Sequence, residues 1–326
     1  MLKYENRIAF DLALFLPGFF FISLRLWIRN RNRLPNPHLT WILSDVFVAL
    51  SLIIAASVIS LDLWYMQRRI RLRDYPKEED PAGYFVETIT ISIEFLKVSL
   101  FNQYGYICAL WSVKASFLCS YYSMSRHLSV KLRQVMKLTW VALLLTLLGL
   151  VFGFTFWCRP IERNWSIDQD YFCSPQAKPA QAVLVYALHI GTDIPIMAIP
   201  FFIIHTLKLG RSEKYAISFM FLLGFMTVAT STFSFILHMQ FIKLEQYGIY
   251  GPSGDALGEK LEGIYLSAVA EVFGAVFIVC LPSTRIAVRT CLSRIRRTPE
   301  ESQSQVGDSD NGLIELSPKV LVNGSV

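Results

Sequence analysis

Charge is scarce in this sequence. Of 326 residues only 17% are Asp, Glu, Lys or Arg, against about 25% in a typical soluble domain, and 53% are apolar. That deficit excludes a soluble enzyme, a secreted disulfide scaffold and a disordered chain. Chemistry-bearing motifs are absent too. No two cysteines stand at CxxC spacing, and the five histidines occur singly at 38, 127, 189, 205 and 238, so a metal site is not expected. There is no GxSxG, HExxH or phosphate-loop motif, and no nucleophile–base pair, so the chain does not read as an enzyme. The short alternating segments of an outer-membrane barrel, about 10 residues each, are missing as well. No internal repeat is visible. The last apolar run, 261–283, contains no lysine, so a retinal Schiff base in the last helix has no anchor and no cofactor is expected.

What is present is a series of seven apolar runs of helix-spanning length: 8–28, 39–63, 101–123, 138–157, 181–207, 215–241 and 261–283. The expected fold is all-α, a seven-transmembrane helix bundle in a lipid bilayer. Arg29, Arg31 and Arg33 follow the first run where a signal peptide would have a small-residue cleavage site, so that run reads as a signal anchor. The net charge of +6 does not point to nucleic acid, because the basic residues sit at the ends of the spans. With the N-terminus outside, the inner segments hold Arg29, Arg31 and Arg33, then Arg126, Lys131, Arg133 and Lys137, then Lys208, Arg211 and Lys214, and the arginines from 285 to 297. One outer loop, 64–100, conflicts with this rule, since it carries Arg68, Arg69, Arg71, Arg73 and Lys77. The inner segments outvote it, giving N-out and C-in. The expected layout is a short outer N-terminus at 1–7, a membrane domain at 8–283, a basic amphipathic segment at 284–297 and a disordered cytoplasmic tail at 298–326.

Ionisable side chains inside spans are costly and mark function by default. Here they are Asp45, Lys114, Asp193 and Glu271, with His189 one turn before Asp193. At 1.5 Å per residue Asp45 lies about 9 Å, Lys114 about 13 Å, and Asp193 and Glu271 about 20 Å from the inner ends of their helices. Arg25, near the inner end of the first span, is in reach of Asp45 or of the interface. Three acids then face one deep lysine, which calls for a protonated acid or a bound small cation. A packing network that fixes helix register and a ligand-gated or proton-linked switch both account for such a set. Pro195 and Pro200 cannot donate to the carbonyls of Gly191 and Ile196, so the fifth helix is expected to kink beside Asp193.

Between spans 4 and 5, Cys158 and Cys173 bracket a short outer loop. An oxidising compartment makes a disulfide the expectation, worth roughly 3 kcal/mol through chain entropy. The bridge serves either as a plain staple or as part of a lid over an outer pocket. Asn164-Trp165-Ser166 in the same loop is a glycosylation sequon. In the segment 284–297, Val288, Leu292 and Ile295 form an apolar stripe among arginines, suited to the inner leaflet, and Cys291 sits where palmitoylation occurs.

Several local patterns recur in a fixed order. The third span contains Lys114-Ala115-Ser116-Phe117-Leu118 and Tyr121. The outer loop reads Phe156-Trp157-Cys158-Arg159-Pro160, then Trp165 and Cys173. The fifth span gives Asp193-Ile194-Pro195, Ile199-Pro200 and Leu207-Lys208-Leu209, followed by Phe221-Leu222-Leu223-Gly224. The seventh has Glu271 and Leu281-Pro282. In that order these residues resemble the fungal rhodopsin-domain family of seven-helix membrane proteins, which includes receptor-like proteins carrying an outer cysteine-rich CFEM domain. The resemblance runs from the first span to the end of the seventh. It departs at Ser123 and at Ser231-Thr232-Phe233-Ser234, where the family usually has arginines, and no CFEM domain is expected before the first span. The resemblance implies a receptor-like protein of the plasma membrane, sensing an outer small ligand and meeting a cytoplasmic signalling partner at its basic inner face. The alternative is an ion- or proton-coupled transporter using the buried acids and Lys114.

Overall fold

The computed structural model describes residues 4–31, 39–76, 78, 80–124, 130–168, 170–206, 211–246 and 260–281. Seven helices and no strand occur among them: α1 (Tyr4–Arg31), α2 (Leu39–Arg73), α3 (Pro81–Met124), α4 (Val130–Trp157), α5 (Pro179–Thr206), α6 (Arg211–Gln246) and α7 (Lys260–Leu281). Two short 3-10 turns, Ile161–Trp165 and Pro175–Ala177, lie between α4 and α5. Residues 284–297, with Cys291, fall outside the described residues.

Six of the helices are long and apolar enough to cross a membrane; α3 is not. The reason is its place in the bundle. Ala109 through Ser116 are buried without a break, so α3 is enclosed by protein rather than by lipid. An enclosed helix can carry Asn102, Gln103, Ser112, Lys114 and Ser116, and those residues lower its apolarity. The outer helices show the reverse arrangement. Phe19, Leu145, Phe152 and Phe225 are each more than half exposed, while Arg25, Lys114 and Glu271 are 1, 6 and 2% exposed. Apolar outside and charged inside is the pattern of a protein solvated by lipid.

The segment expected as an outer loop at 64–100 is instead mostly helix. α2 runs ten residues past its expected end and α3 begins twenty residues early. Local chemistry explains both ends. Pro81 opens α3 at the first helical position, where its missing N–H costs nothing, and Asp80 caps the helix by accepting from Gly83 N–H at 2.9 Å. The arginines of α2 have partners across the hairpin: Arg68 meets Glu87 at 3.2 Å and Glu94 at 3.5 Å. The Tyr65 and Phe95 rings pack at 5.2 Å. At 35 residues α2 is about 52 Å long, so it projects well past a hydrocarbon layer of about 30 Å. α1 and α7 approach closely at Gly18, where an added Cβ would lie 2.8 Å from the buried Phe273 ring. α5 is unbroken through Pro195 and Pro200.

Candidate functional site

Among the described residues the buried charged side chains gather in three places along the bundle axis rather than in one set. At the end that carries the C-termini of α1, α3 and α7, Arg25 ties three helices. Its Nε donates to Asp45 Oδ1 at 2.8 Å, and its guanidinium also donates to Ser44 Oγ at 2.7 Å and to the Val279 carbonyl. Arg29 pairs with the other Asp45 oxygen, donates to the Trp41 carbonyl at 2.6 Å and lies over the Trp41 ring at 4.5 Å. Asp45 is therefore held by two arginines and is not part of the set around Lys114. Ser44 Oγ lies 2.8 Å from the hydroxyls of Ser116 and Ser120, which extends this knot into α3.

At mid-bundle Lys114 comes from α3, where its Nζ lies 2.9 Å from Asp193 Oδ1, 2.8 Å from Thr192 Oγ1 and 2.9 Å from the His189 carbonyl. Its ammonium also lies 4.7 Å from the Trp111 ring centre, and Trp111 Nε1 donates to Thr146 of α4 at 3.1 Å. His189 Nδ1 is 3.2 Å from Lys114 Nζ. Facing an ammonium, that nitrogen accepts, which assigns the hydrogen to Nε2. Nε2 lies 2.9 Å from Glu271 Oε1 and 3.1 Å from Asp193 Oδ2. The i, i+4 spacing of His189 and Asp193 stacks them on one face of α5. Glu271 of α7 accepts from Tyr106 OH at 2.7 Å and from the Ser231 hydroxyl of α6. Lys114, His189 and Glu271 are all nearly sealed from solvent, at 6, 5 and 2% exposure. Mutual pairing is what makes charge tolerable at such a position.

A third group stands at the opposite end. Arg7 pairs with Asp62 at 2.7 Å and lies over the Tyr265 ring at 4.1 Å. Asp11 is 1% exposed, and neither of its oxygens has a hydrogen-bond partner. Sequence reasoning did not single out Arg7, Asp11 or Asp62. The available signal was Asp11 inside the first apolar run with Arg7 one turn before it. Tyr106, Thr192 and Ser231 were missed for a different reason: hydroxyls are common in membrane helices, and nothing in the sequence tells which of them meet a charge.

Cys158 and Cys173 are joined by a disulfide across Cα atoms 5.9 Å apart. The loop they close is held against the bundle. Lys97 of α3 lies 5.4 Å from the Trp165 ring centre. Just beyond the bridge, Gln176 donates to the Ser99 carbonyl at 3.1 Å, and its backbone carbonyl oxygen lies 2.9 Å from His238 Nε2 of α6. Asn164 is 5% exposed and its Nδ2, the atom a glycan would occupy, donates to the Ile161 carbonyl at 2.8 Å.

Beneath this loop lies a cavity of about 860 Å³, reached by Arg7, Asp62 and Tyr265 at one end and by Tyr106, His189 and Ser231 at its floor. A second, small cavity of about 70 Å³ lies on the other side of the mid-bundle cluster, lined by Lys114, Asp193 and Glu271 among apolar residues of α3, α5, α6 and α7. His189 borders both.

The arrangement suits reversible binding and proton exchange, with charges held by neighbours and a space large enough for a small molecule beside them. No curated protein and no solved structure matches the chain at a significant level. The sequence profile of the fungal rhodopsin domain matches residues 24–290, which span α2 to α7 and the mid-bundle cluster. The chain is an integral membrane protein and belongs to the fungal rhodopsin domain family.

Proposed function

We propose that this is a receptor-like protein of the plasma membrane whose ligand, a small molecule from outside the cell, occupies the large cavity beneath the disulfide-closed loop. In this reading the N-terminus and the disulfide face the oxidising exterior and the C-terminus the cytoplasm. One observation carries the proposal. Gln181 lines the large cavity at 1% exposure, and neither its amide nitrogen nor its amide oxygen has a hydrogen-bond partner. An unsatisfied buried amide costs about 1–3 kcal/mol, and a ligand that pairs with it removes that cost. The cavity volume falls within the range of about 300–1,000 Å³ usual for small-molecule sites. At the opposite end Lys131, Arg133 and Lys137 are exposed at the start of α4, a basic surface suited to an acidic signalling partner or to anionic headgroups.

The test is a host cell with a second-messenger reporter, expressing the chain and challenged with a small-molecule library. A compound that evokes a response should lose it with Gln181→Leu and with Ala268→Phe, which narrows the cavity. A response that survives both substitutions contradicts the assignment of the site.

A further inference from the structure

The two cavities are kept apart by the mid-bundle cluster, and one residue touches both. The outer, larger cavity reaches His189, Tyr106 and Ser231, and the smaller one reaches His189, Lys114, Asp193 and Glu271. We propose that His189 and Glu271 hold and exchange a single proton between the two cavities, so that the bundle conducts protons.

The charge count leads there first. With Lys114 as ammonium and Asp193 and Glu271 as carboxylates, and with His189 neutral because its Nδ1 faces Lys114, the cluster carries one net negative charge. One added proton cancels that charge, and a buried cluster favours neutrality. The titratable groups facing His189 and Glu271 are Tyr106 and Lys114 from α3 and Asp193 from α5, while α6 contributes the Ser231 hydroxyl.

The geometry then supplies a route. Lys114 Nζ stands 3.2 Å from His189 Nδ1, and His189 Nε2 stands 2.9 Å from Glu271 Oε1. As an Nζ–H bond breaks, an Nδ1–H bond forms; as the Nε2–H bond breaks, an O–H bond forms on Glu271. Lys114 becomes an amine, the imidazole stays neutral in its other tautomer, and the net charge of the cluster is unchanged. Lys114 then takes a proton from water in the small cavity. The Tyr106 hydroxyl, 2.7 Å from Glu271 Oε2, gives its proton to water of the large cavity and takes the one that Glu271 releases. The starting tautomer returns when water of one cavity takes the Nδ1 proton as it gives one to Nε2, and the same steps run in reverse. A histidine that accepts at one nitrogen and donates at the other is the side chain suited to this exchange near neutral pH.

The proposal is separate from the ligand reading, since proton flow requires no ligand and a failed ligand screen does not touch it. The full chain is reconstituted in liposomes enclosing a pH-sensitive dye, and a potassium gradient with valinomycin supplies the driving voltage. The internal pH should change several-fold faster than in protein-free liposomes. Glu271→Gln and His189→Gln should return the rate to the protein-free level, while Ser57→Ala on the exposed face of α2 keeps the wild-type rate. A wild-type rate equal to that of protein-free liposomes overturns the proposal, as does a wild-type rate in Glu271→Gln. Should Glu271→Gln fail to fold, His189→Gln decides by the same criterion, and Tyr106→Phe should slow the flux.

Discussion

Lys114 and Asp193 form a buried pair whose removal from either side should cost more than removal of both together. Lys114→Met takes away the ammonium that Asp193 Oδ1 meets at 2.9 Å and leaves the carboxylate with His189 Nε2 at 3.1 Å. Asp193→Leu leaves the ammonium with the His189 carbonyl and Thr192 Oγ1, neutral acceptors at 2.9 and 2.8 Å. Breaking a buried pair from one side costs about 3–5 kcal/mol. At roughly 2–4 °C per kcal/mol, each single substitution should lower the unfolding midpoint by roughly 6–20 °C. The double variant replaces the pair with two apolar side chains, an exchange that is commonly near neutral. It should recover most of the loss. Two thiols make the assay direct. Cys119 and Cys280 are 3 and 0% exposed and unpaired by disulfide, so a thiol-reactive fluorophore reports unfolding of the bundle. If the double variant loses the sum of the two single losses, the residues do not act as a pair and the electrostatic account of the cluster is wrong.

Four further outcomes follow from named contacts. Gln181→Leu should leave the unfolding midpoint unchanged or raise it, because it removes two unsatisfied buried atoms, while abolishing any ligand response; a clear drop in midpoint would mean that the amide has partners in the protein. Cys158→Ser should destabilise the fold by roughly 3 kcal/mol, the value expected for closing a loop of 15 residues, and non-reducing peptide mapping should find the pair joined in the native chain. Asn164 should stay unglycosylated in a eukaryotic host, so treatment with a glycan-removing amidase should leave electrophoretic mobility unchanged; a mobility shift contradicts the buried placement of its Nδ2. Gly18→Val should destabilise by about 1–3 kcal/mol, since the Phe273 ring leaves no room for even a Cβ.

The bundle itself was legible in the sequence because a helix face that meets lipid must be apolar, and that requirement leaves a strong local signal in every span. The disulfide was legible because two cysteines bracket one short loop. The projecting halves of α2 and α3 were not. Arg68, Arg69, Arg71 and Arg73 read as a polar loop, whereas pairing with Glu87 and Glu94 across the hairpin lets at least Arg68 sit on helix. Apolarity alone would also have undervalued α3, whose polar centre is a consequence of being enclosed. The charged residues of the mid-bundle cluster were visible one by one, but their partners were not. The reach of Arg25 to Asp45 was legible from their depths, but nothing local says that Arg29 joins them, that Asp193 meets Lys114, or that Glu271 meets His189. Those choices depend on how the helices rotate about their axes, which a pattern of apolar residues leaves free within a fraction of a turn.

The proposed function requires the cavity that leads down to His189 to open towards the outside. Accessibility of its wall to a membrane-impermeant reagent tests that most directly. Ala268→Cys places a thiol on the cavity lining, on α7 within one turn of Glu271. Intact cells expressing this variant are treated with a charged methanethiosulfonate, and labelling is compared with the parent chain, whose own thiols supply the background. The account predicts labelling from outside that exceeds the background and is slowed by any compound found to evoke a response. Labelling that appears only after the cells are permeabilised would contradict it, because the cavity would then face the cytoplasm.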